Sequence, residues 1–294
     1  MHTIGFIGLG LMGRPMAKNL VKAGYPVVVH SRSQGPVDDL VAAGAQRATS
    51  AADVARRATR VITMVPDSPD VEKVLAGPDG VFSAIQPGTI VIDMSSIEPG
   101  VAMQLAAQAA KLGATMLDAP VSGGEIGAIE GTLTIMVGGT AEAFADAKPI
   151  LEVMGNPERI VHVGPAGAGQ LCKLCNQMVI GGTLAVVAEA FALAKKAGVD
   201  AAKVREALLG GFAASRVLEV HGDRVLKGTF KPGFYMHLYA KDMRNVVATL
   251  AQHETPAPVT AVVQQMVHAT MAAGYGDKDN SIMGKVIVDM AKAN

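Results

Sequence analysis

A chain of 294 residues is long enough for two domains and a sizeable core. Half of its residues are hydrophobic, only 18% are charged, and 26 basic groups balance 26 acidic ones, which leaves no basic stripe for nucleic acid and no acidic tail. Trp is absent, so there is little material for stacking bases, and two cysteines are too few for a disulfide framework.

The first apolar strand, Thr3–Ile7, starts at the third residue and leaves no room for a signal segment, so the expectation is a cytoplasmic protein. The strand runs into Gly8-Leu9-Gly10-Leu11-Met12-Gly13, and Met12, Met16 and Leu20 then repeat every four residues as on a helix. Strand, G-x-G-x-x-G and helix together make a cradle for a dinucleotide. Gly8 permits the tight turn, Gly10 lets the backbone approach a pyrophosphate, and Gly13 lets helix and strand pack closely. Leu11 and Met12 lead into the helix N-terminus, whose unpaired N–H groups face the phosphates. The competing reading is a glycine turn that only needs φ > 0.

Gly24 ends this helix and Tyr25 to Val29 form the second strand. A carboxylate about twenty residues after the cradle would select NAD. His30, Ser31, Arg32 and Ser33 stand there instead, and Arg32 with the serine hydroxyls suits a 2′-phosphate. The predicted cofactor is NADP, with NAD possible; the plain alternative is a solvated arginine at a strand end.

Further strands are predicted at Val61–Val65, Thr89–Asp93, Thr115–Leu117, Leu133–Val137 and Ile160–Val163, with helices at Ser50–Ala58, N-capped by Ser50, and Gly100–Leu112. This alternation predicts a Rossmann-type, doubly wound, mainly parallel sheet over residues 1–164, whose tail leaves room for antiparallel strands. From 165 to 294 the pattern is all-helical: Leu171–Lys196 reads as one long helix, followed by segments near 200–209, 214–227, 239–252, 256–273 and 279–292. The uncharged run Leu174–Ala188 is short for a bilayer and contains Asn176 and Gln177, so it reads as buried helix rather than membrane. The substrate site is expected where the two domains meet.

Three later motifs look chemical. In Asp118-Ala119-Pro120-Val121-Ser122-Gly123-Gly124, the Ser122 hydroxyl and the N–H groups of Gly123 and Gly124 can hold a carboxylate; a plain strand-to-helix turn is the alternative. In Gly167-Ala168-Gly169-Gln170-Leu171-Cys172-Lys173-Leu174-Cys175-Asn176-Gln177, Lys173 and Asn176 share a helix face and Gln177 is adjacent. A lysine in an apolar helix is costly unless paired or functional, or unless it snorkels. Gly181 and Gly182, further along, leave space for a ligand or a helix. Cys172 and Cys175 match C-x-x-C, but no redox or zinc context surrounds them, so no metal is expected and both read as small buried thiols. After Phe230-Lys231-Pro232-Gly233-Phe234 comes Lys241-Asp242, which reads either as an anion contact with Asp242 orienting Lys241 or as an exposed ion pair.

In this order the motifs resemble the β-hydroxyacid dehydrogenase family over essentially the whole chain. Gly210-Gly211-Phe212-Ala213-Ala214-Ser215 and Phe230 to Phe234 look most like the tartronate semialdehyde (2-hydroxy-3-oxopropionate) reductases. The resemblance implies Lys173 as catalytic acid/base, Ser122, Gly123 and Gly124 on the substrate carboxylate, and Asn176 at the reacting hydroxyl with Gln177 as its rival. It also implies Val65, Pro66, Ser96 and Lys241 at the cofactor. Tyr235 stands where such reductases often carry an arginine, and Asp279-Asn280-Ser281 replaces the usual Asp-His-Ser.

The implied activity is NADP(H)-dependent reduction of a short 3-oxo acid, with hydride from nicotinamide and a proton from Lys173. The implied partners are a semialdehyde or hydroxy acid and further copies of the chain, as a dimer or tetramer. The competing activities are 3-hydroxyisobutyrate dehydrogenase and glyoxylate or succinic semialdehyde reductase. The non-enzyme alternative is an inert NADP-binding module.

Overall fold

The computed structural model describes residues 2–292. They divide into two compact units, Met1–Lys173 and Leu174–Asn294. The first alternates strands and helices: β1 (Ile4–Ile7), α1 (Gly13–Lys22), β2 (Val27–His30), α2 (Gln34–Ala42), β3 (Gln46–Arg47), α3 (Ala51–Arg57), β4 (Arg60–Thr63), α4 (Ser68–Ala76), β5 (Ile90–Asp93), α5 (Pro99–Lys111), β6 (Thr115–Asp118), β7 (Val121–Ser122), α6 (Gly124–Glu130), β8 (Leu133–Gly138), α7 (Ala141–Leu151) and β9 (Gly155–Gly164). Helix α8 (Ala168–Lys196) begins in this unit and continues into the second.

The strands make one nine-stranded sheet in the order β3-β2-β1-β4-β5-β6-β8-β7, with β9 also paired to β8. Pairing is parallel from β3 through β6, β8 runs antiparallel to β6 and β7, and β9 lies parallel to β8. Side chains alternate between two cores along each strand. Ile4, Phe6, Val27, Val29, Ile90 and Ile92 enter one, whereas Val28, Val61 and Val91 enter the other. Burial on both faces is why these strands read as unbroken apolar runs.

Ser50 caps α3 as predicted, accepting from Asp53 N at 3.1 Å. The second strand begins two residues later than the sequence suggests, because Gly24, Tyr25 and Ala23 are tied up in the hydrogen-bonded close of α1. The fourth strand stops at Thr63, which leaves Val65 and Pro66 in the loop beyond its C-terminal end.

The second unit is helical: the remainder of α8, then α9 (Ala201–Leu209), α10 (Arg216–Lys227), α11 (Met236–Gln252), α12 (Pro258–Ala272) and α13 (Ile282–Met290). Its core gathers Leu184, Ala188 and Phe191 of α8 with Tyr239, Met243 and Val246 of α11 and Val263 and Val267 of α12. The last helix starts three residues later than predicted, since Asp279 is committed to the preceding loop. Its carboxylate accepts from Gly233 N, Phe234 N, Ser281 N and Oγ, and Arg224 Nη1. Burial alone would raise its pKa, but these bonds outweigh it and hold the group below the ordinary carboxylate value.

Two expectations about α8 need correction. The run Leu174–Ala188 is part of a 29-residue helix, so by length and composition α8 is apolar enough to cross a bilayer. Half of its most apolar window is buried inside the protein, and Leu174, Leu184, Ala188 and Phe191 of this helix pack in the core of the second unit. The two thiols are not both buried: Cys172 is half-buried and Cys175 is exposed. Cys175 lies on the face of α8 that carries the exposed Val179, Val186 and Leu193, away from the core side chains Leu184, Ala188 and Phe191.

Candidate active site

The glycine cradle follows from β1 and α1. Gly8 has φ +98°, and a Cβ there would lie 2.2 Å from the Met64 carbonyl oxygen, so only glycine fits. A Cβ on Gly13 would lie 2.0 Å from the Gly8 carbonyl oxygen, which is the close helix–strand approach expected of the third glycine. Gly10 differs: a Cβ there meets nothing within 4 Å. The protein itself therefore does not need glycine at position 10, and a ligand lying over that backbone would. Leu11 and Met12, both half-buried, complete the turn. These residues fit a dinucleotide.

Beside the cradle lies a cavity of about 540 Å³ whose lining includes Gly10, Leu11, Arg14, Lys18 and Ser33. Ser31 Oγ accepts a long 3.4 Å hydrogen bond from Leu9 N, joining the end of β2 to the glycine turn. The Arg32 side chain is 82% exposed, with Nη1 3.6 Å from Asp70 Oδ1. An exposed pair at that distance is worth well under about 1 kcal/mol, so it does not fix the guanidinium.

A buried polar network joins the C-terminal ends of β4, β5 and β6 to the start of α8. Asp93 Oδ1 accepts from Thr63 Oγ1 at 2.7 Å and from Ser95 N at 3.2 Å, and Ser95 Oγ accepts from Val65 N at 3.0 Å. Ser96, next along, is half-buried. Burial pushes the Asp93 carboxyl up to about 6, against hydrogen bonds from Ser95 and Thr63 that lower it. Asp118 is paired in register with Asp93 on the neighbouring strand. Its carboxylate accepts from Gly167 N at 2.7 Å and Gln170 N at 2.8 Å, which caps α8; burial raises its pKa despite those bonds.

Gln170, fully buried, accepts from Ile97 N at 3.0 Å and donates to the Ser95 carbonyl at 2.8 Å. Lys173 follows three residues later and is 7% exposed. Four residues beyond Asp118, Ser122 is half-buried and Gly123 exposed, with φ +141° at Gly123 and +62° at Gly124 opening the turn into α6. Asp93 and Ser95 were not singled out from sequence, and Asp118 and Gln170 stood inside the quoted motifs without a role of their own, because the bonds that tie the elements together span 30 to 75 residues.

In the second unit, Asn176 Nδ2 donates to Gln177 Oε1 at 2.8 Å and Gln177 Nε2 donates to Asp242 Oδ2 at 2.5 Å. Lys241 Nζ is 2.8 Å from Asp242 Oδ1. Of the two readings of this pair, the exposed one fails: Lys241 is 8% and Asp242 1% exposed. One turn on, Asn245 is buried with neither amide atom hydrogen-bonded among the described residues, at a cost of about 1–3 kcal/mol per group. Local sequence gave no signal for it. Gly181 is used for helix packing, since a Cβ there would strike the Tyr239 hydroxyl at 1.9 Å. Among the described residues no cluster of His, Cys, Asp and Glu is built to hold a metal ion.

A Rossmann-type sheet with a glycine cradle, followed by a helix carrying a buried lysine beside an amide, defines a nicotinamide-dependent oxidoreductase. Residues 3–164 match the NAD-binding domain of 6-phosphogluconate dehydrogenase, and residues 167–287 match the domain described as the NAD-binding domain of NADP-dependent 3-hydroxyisobutyrate dehydrogenase. The chain belongs to the β-hydroxyacid dehydrogenase family and is an NAD(P)-dependent enzyme of that family.

It is 44% identical to a 2-hydroxy-3-oxopropionate reductase of Escherichia coli K12 over 98% of both chains. It is 39% identical to an NAD-dependent L-serine dehydrogenase of Pseudomonas aeruginosa over 97% of this chain and 98% of the relative. The solved Mycobacterium tuberculosis 3-hydroxyisobutyrate dehydrogenase with L-serine superposes with a TM-score of 0.89 at 35% identity, covering 98% of this chain and 99% of that one.

Proposed function

We propose that the enzyme reduces tartronate semialdehyde to glycerate in the cytoplasm, with NADP(H) preferred over NAD(H). The observation that carries the reaction is the Asp118 clamp. The strand that leads into Ser122-Gly123-Gly124 also caps the helix that bears buried Lys173, so the carboxylate-binding turn and the proton donor share one rigid origin. The cradle residues Gly8 to Gly13 hold the pyrophosphate, with Val65, Pro66, Ser96 and Lys241 along the rest of the cofactor. Bound nicotinamide supplies the hydride. Ser122 and the N–H groups of Gly123 and Gly124 hold the substrate carboxylate. Lys173 gives its proton to the carbonyl oxygen as that atom gains charge, and Asn176 hydrogen-bonds the developing alkoxide. In the oxidative direction Lys173 takes the proton back.

The NADP preference rests on Ser31, Arg32 and Ser33 at the end of β2, with Arg14 and Lys18 lining the adjacent cavity. A hydrogen bond to a charged group is worth about 1.5–3 kcal/mol, or about tenfold to a few hundredfold in affinity. Half-buried Tyr235, in place of an arginine, favours 3-hydroxyisobutyrate as the second reading. The exposed apolar stripe Val179, Val186 and Leu193 on α8 supports association with further copies of the chain.

The test is oxidation of NADPH and of NADH against tartronate, methylmalonate and succinic semialdehydes and glyoxylate, with L-serine oxidation as the reverse arm. Highest kcat/KM for tartronate semialdehyde with NADPH is the expected result. Lys173→Ala is expected to lose most turnover while keeping cofactor affinity, and comparable turnover in that variant overturns its role.

A further inference from the structure

Within the second unit, α8, α10 and α13 meet around a separate cavity of about 240 Å³. Two glycines set where these helices touch. A Cβ on Gly222 would lie 3.3 Å from Phe191 Cζ, and one on Gly284 would lie 2.7 Å from Val225 Cγ2, so α10 packs closely on α8 and on α13 at those levels. Further along, α10 stops at Gly228, whose φ of +66° turns the chain away at the edge of the cavity. The floor is apolar: Phe191 is fully buried, Val288 is 6% exposed, and half-buried Leu226 lies beside them. The rim is cationic, with Lys195, Lys227 and Lys285 against a single carboxylate, Asp289. Lys285 pairs with Asp289, and Lys227 Nζ lies 2.9 Å from Asp223 Oδ2. Lys195 is exposed and has no ion pair among the described residues. Lys195 and Lys227 stand in the last turns of α8 and α10, where they also offset the partial negative charge of those helix ends. That accounts for two lysines at two helix ends, but not for the apolar hollow between them.

We propose that this cavity binds a short aliphatic carboxylate, its tail on Phe191 and Val288 and its charged end between Lys195 and Lys227. Three lysines against one aspartate leave the wall positive, which favours an anion. The exposed pair of Lys227 with Asp223 is of the weak kind that yields to a ligand carboxylate. Volume sets the length of the tail. A water molecule takes about 30 Å³, so the cavity holds about eight non-hydrogen atoms, the size of hexanoate. Glycerate, with hydroxyls on both remaining carbons, matches neither that length nor the apolar floor. The ligand class of this cavity therefore differs from that of the reaction.

The experiment is calorimetric titration of the full-length enzyme at low salt with hexanoate, acetate, hexanol and inorganic phosphate. It is repeated with saturating NADP and glycerate, and with Lys195→Gln and Lys227→Gln combined. Hexanoate is expected to bind with a Kd of about 1 mM or below, and at least about tenfold more tightly than the other three probes. NADP and glycerate should not displace it. The combined variant should bind hexanoate about tenfold more weakly. Both lysines are exposed, so its turnover and melting temperature should match the wild type. Hexanol binding as tightly as hexanoate would show that the lysines take no part, and acetate or phosphate doing so would show that the floor takes none; either overturns the proposal. Displacement by NADP and glycerate, unchanged affinity in the combined variant, or no hexanoate binding at about 10 mM would overturn it as well.

Discussion

Asp93→Asn tests whether the network under the cofactor loops carries an ionisation penalty. Asp93 is fully buried, and its Oδ2 has no hydrogen-bond partner among the described residues. Its carboxyl is raised from 3.8 to about 6 by burial. A folded pKa above the unfolded one means that the folded state prefers the protonated form. The stability from this preference is fully present below pH 3.8 and is lost as pH rises through about 6. The interval corresponds to about 3 kcal/mol, of which roughly half falls between pH 5 and pH 7.5.

Asparagine keeps an acceptor for Thr63 Oγ1 and Ser95 N but has no proton to lose. Urea unfolding of wild type and variant at pH 5 and pH 7.5 gives four free energies. Any constant cost of the new amide, and the titration of every group not coupled to Asp93, cancels in their double difference; the neighbouring Asp118 is the coupled one. The wild type should lose about 1–2 kcal/mol more than Asp93→Asn between the two pH values. Equal losses in the two proteins would refute the reasoning, because they would mean that the buried carboxyl titrates as it does in the unfolded chain.

Other perturbations separate the parts of the site. Asp118→Ala leaves Gly167 N and Gln170 N without their acceptor and should cost about 2–6 kcal/mol in urea unfolding, with turnover falling further than cofactor affinity. Gly10→Ala, whose Cβ meets open space, should leave the melting temperature unchanged and weaken NADPH binding at least about tenfold by fluorescence titration. Gly13→Ala should lower the melting temperature as well, since its Cβ would strike the Gly8 carbonyl and such overpacking costs about 1–3 kcal/mol. Val186→Glu puts a charge in the exposed apolar stripe of α8 and should reduce the particle mass seen by light scattering.

What could be read from sequence was what is local. The cradle was legible because three glycines and the flanking strand and helix occupy consecutive positions, and Gly8 and Gly13 each have a separate steric reason. The central strands were legible because burial on both faces leaves no polar interruptions. Two-residue β3 and β7 carry too few side chains to show a period, and they exist only through their neighbours. The polar network was illegible for a different reason: nothing near Asp118 says that a helix start 49 or more residues later will need an acceptor, and nothing near Ser95 says that Gln170 will donate to its carbonyl. Burial of Lys241 and Asp242, and exposure of Cys175, depend on which face of a helix finds a neighbour. Periodicity constrains that choice only weakly in a helix that is apolar almost all round.

The Gln170 bonds to Ser95 and Ile97 set a phase as well as a position. They pin one residue of α8 to the sheet, and from that pin the bearing of Lys173 follows by counting. Inserting a single residue between Gln170 and Lys173 would swing the lysine by about 100° around the helix axis. The three-residue interval is therefore a ruler: substitutions inside it change chemistry, whereas a change in its length would re-aim the lysine itself.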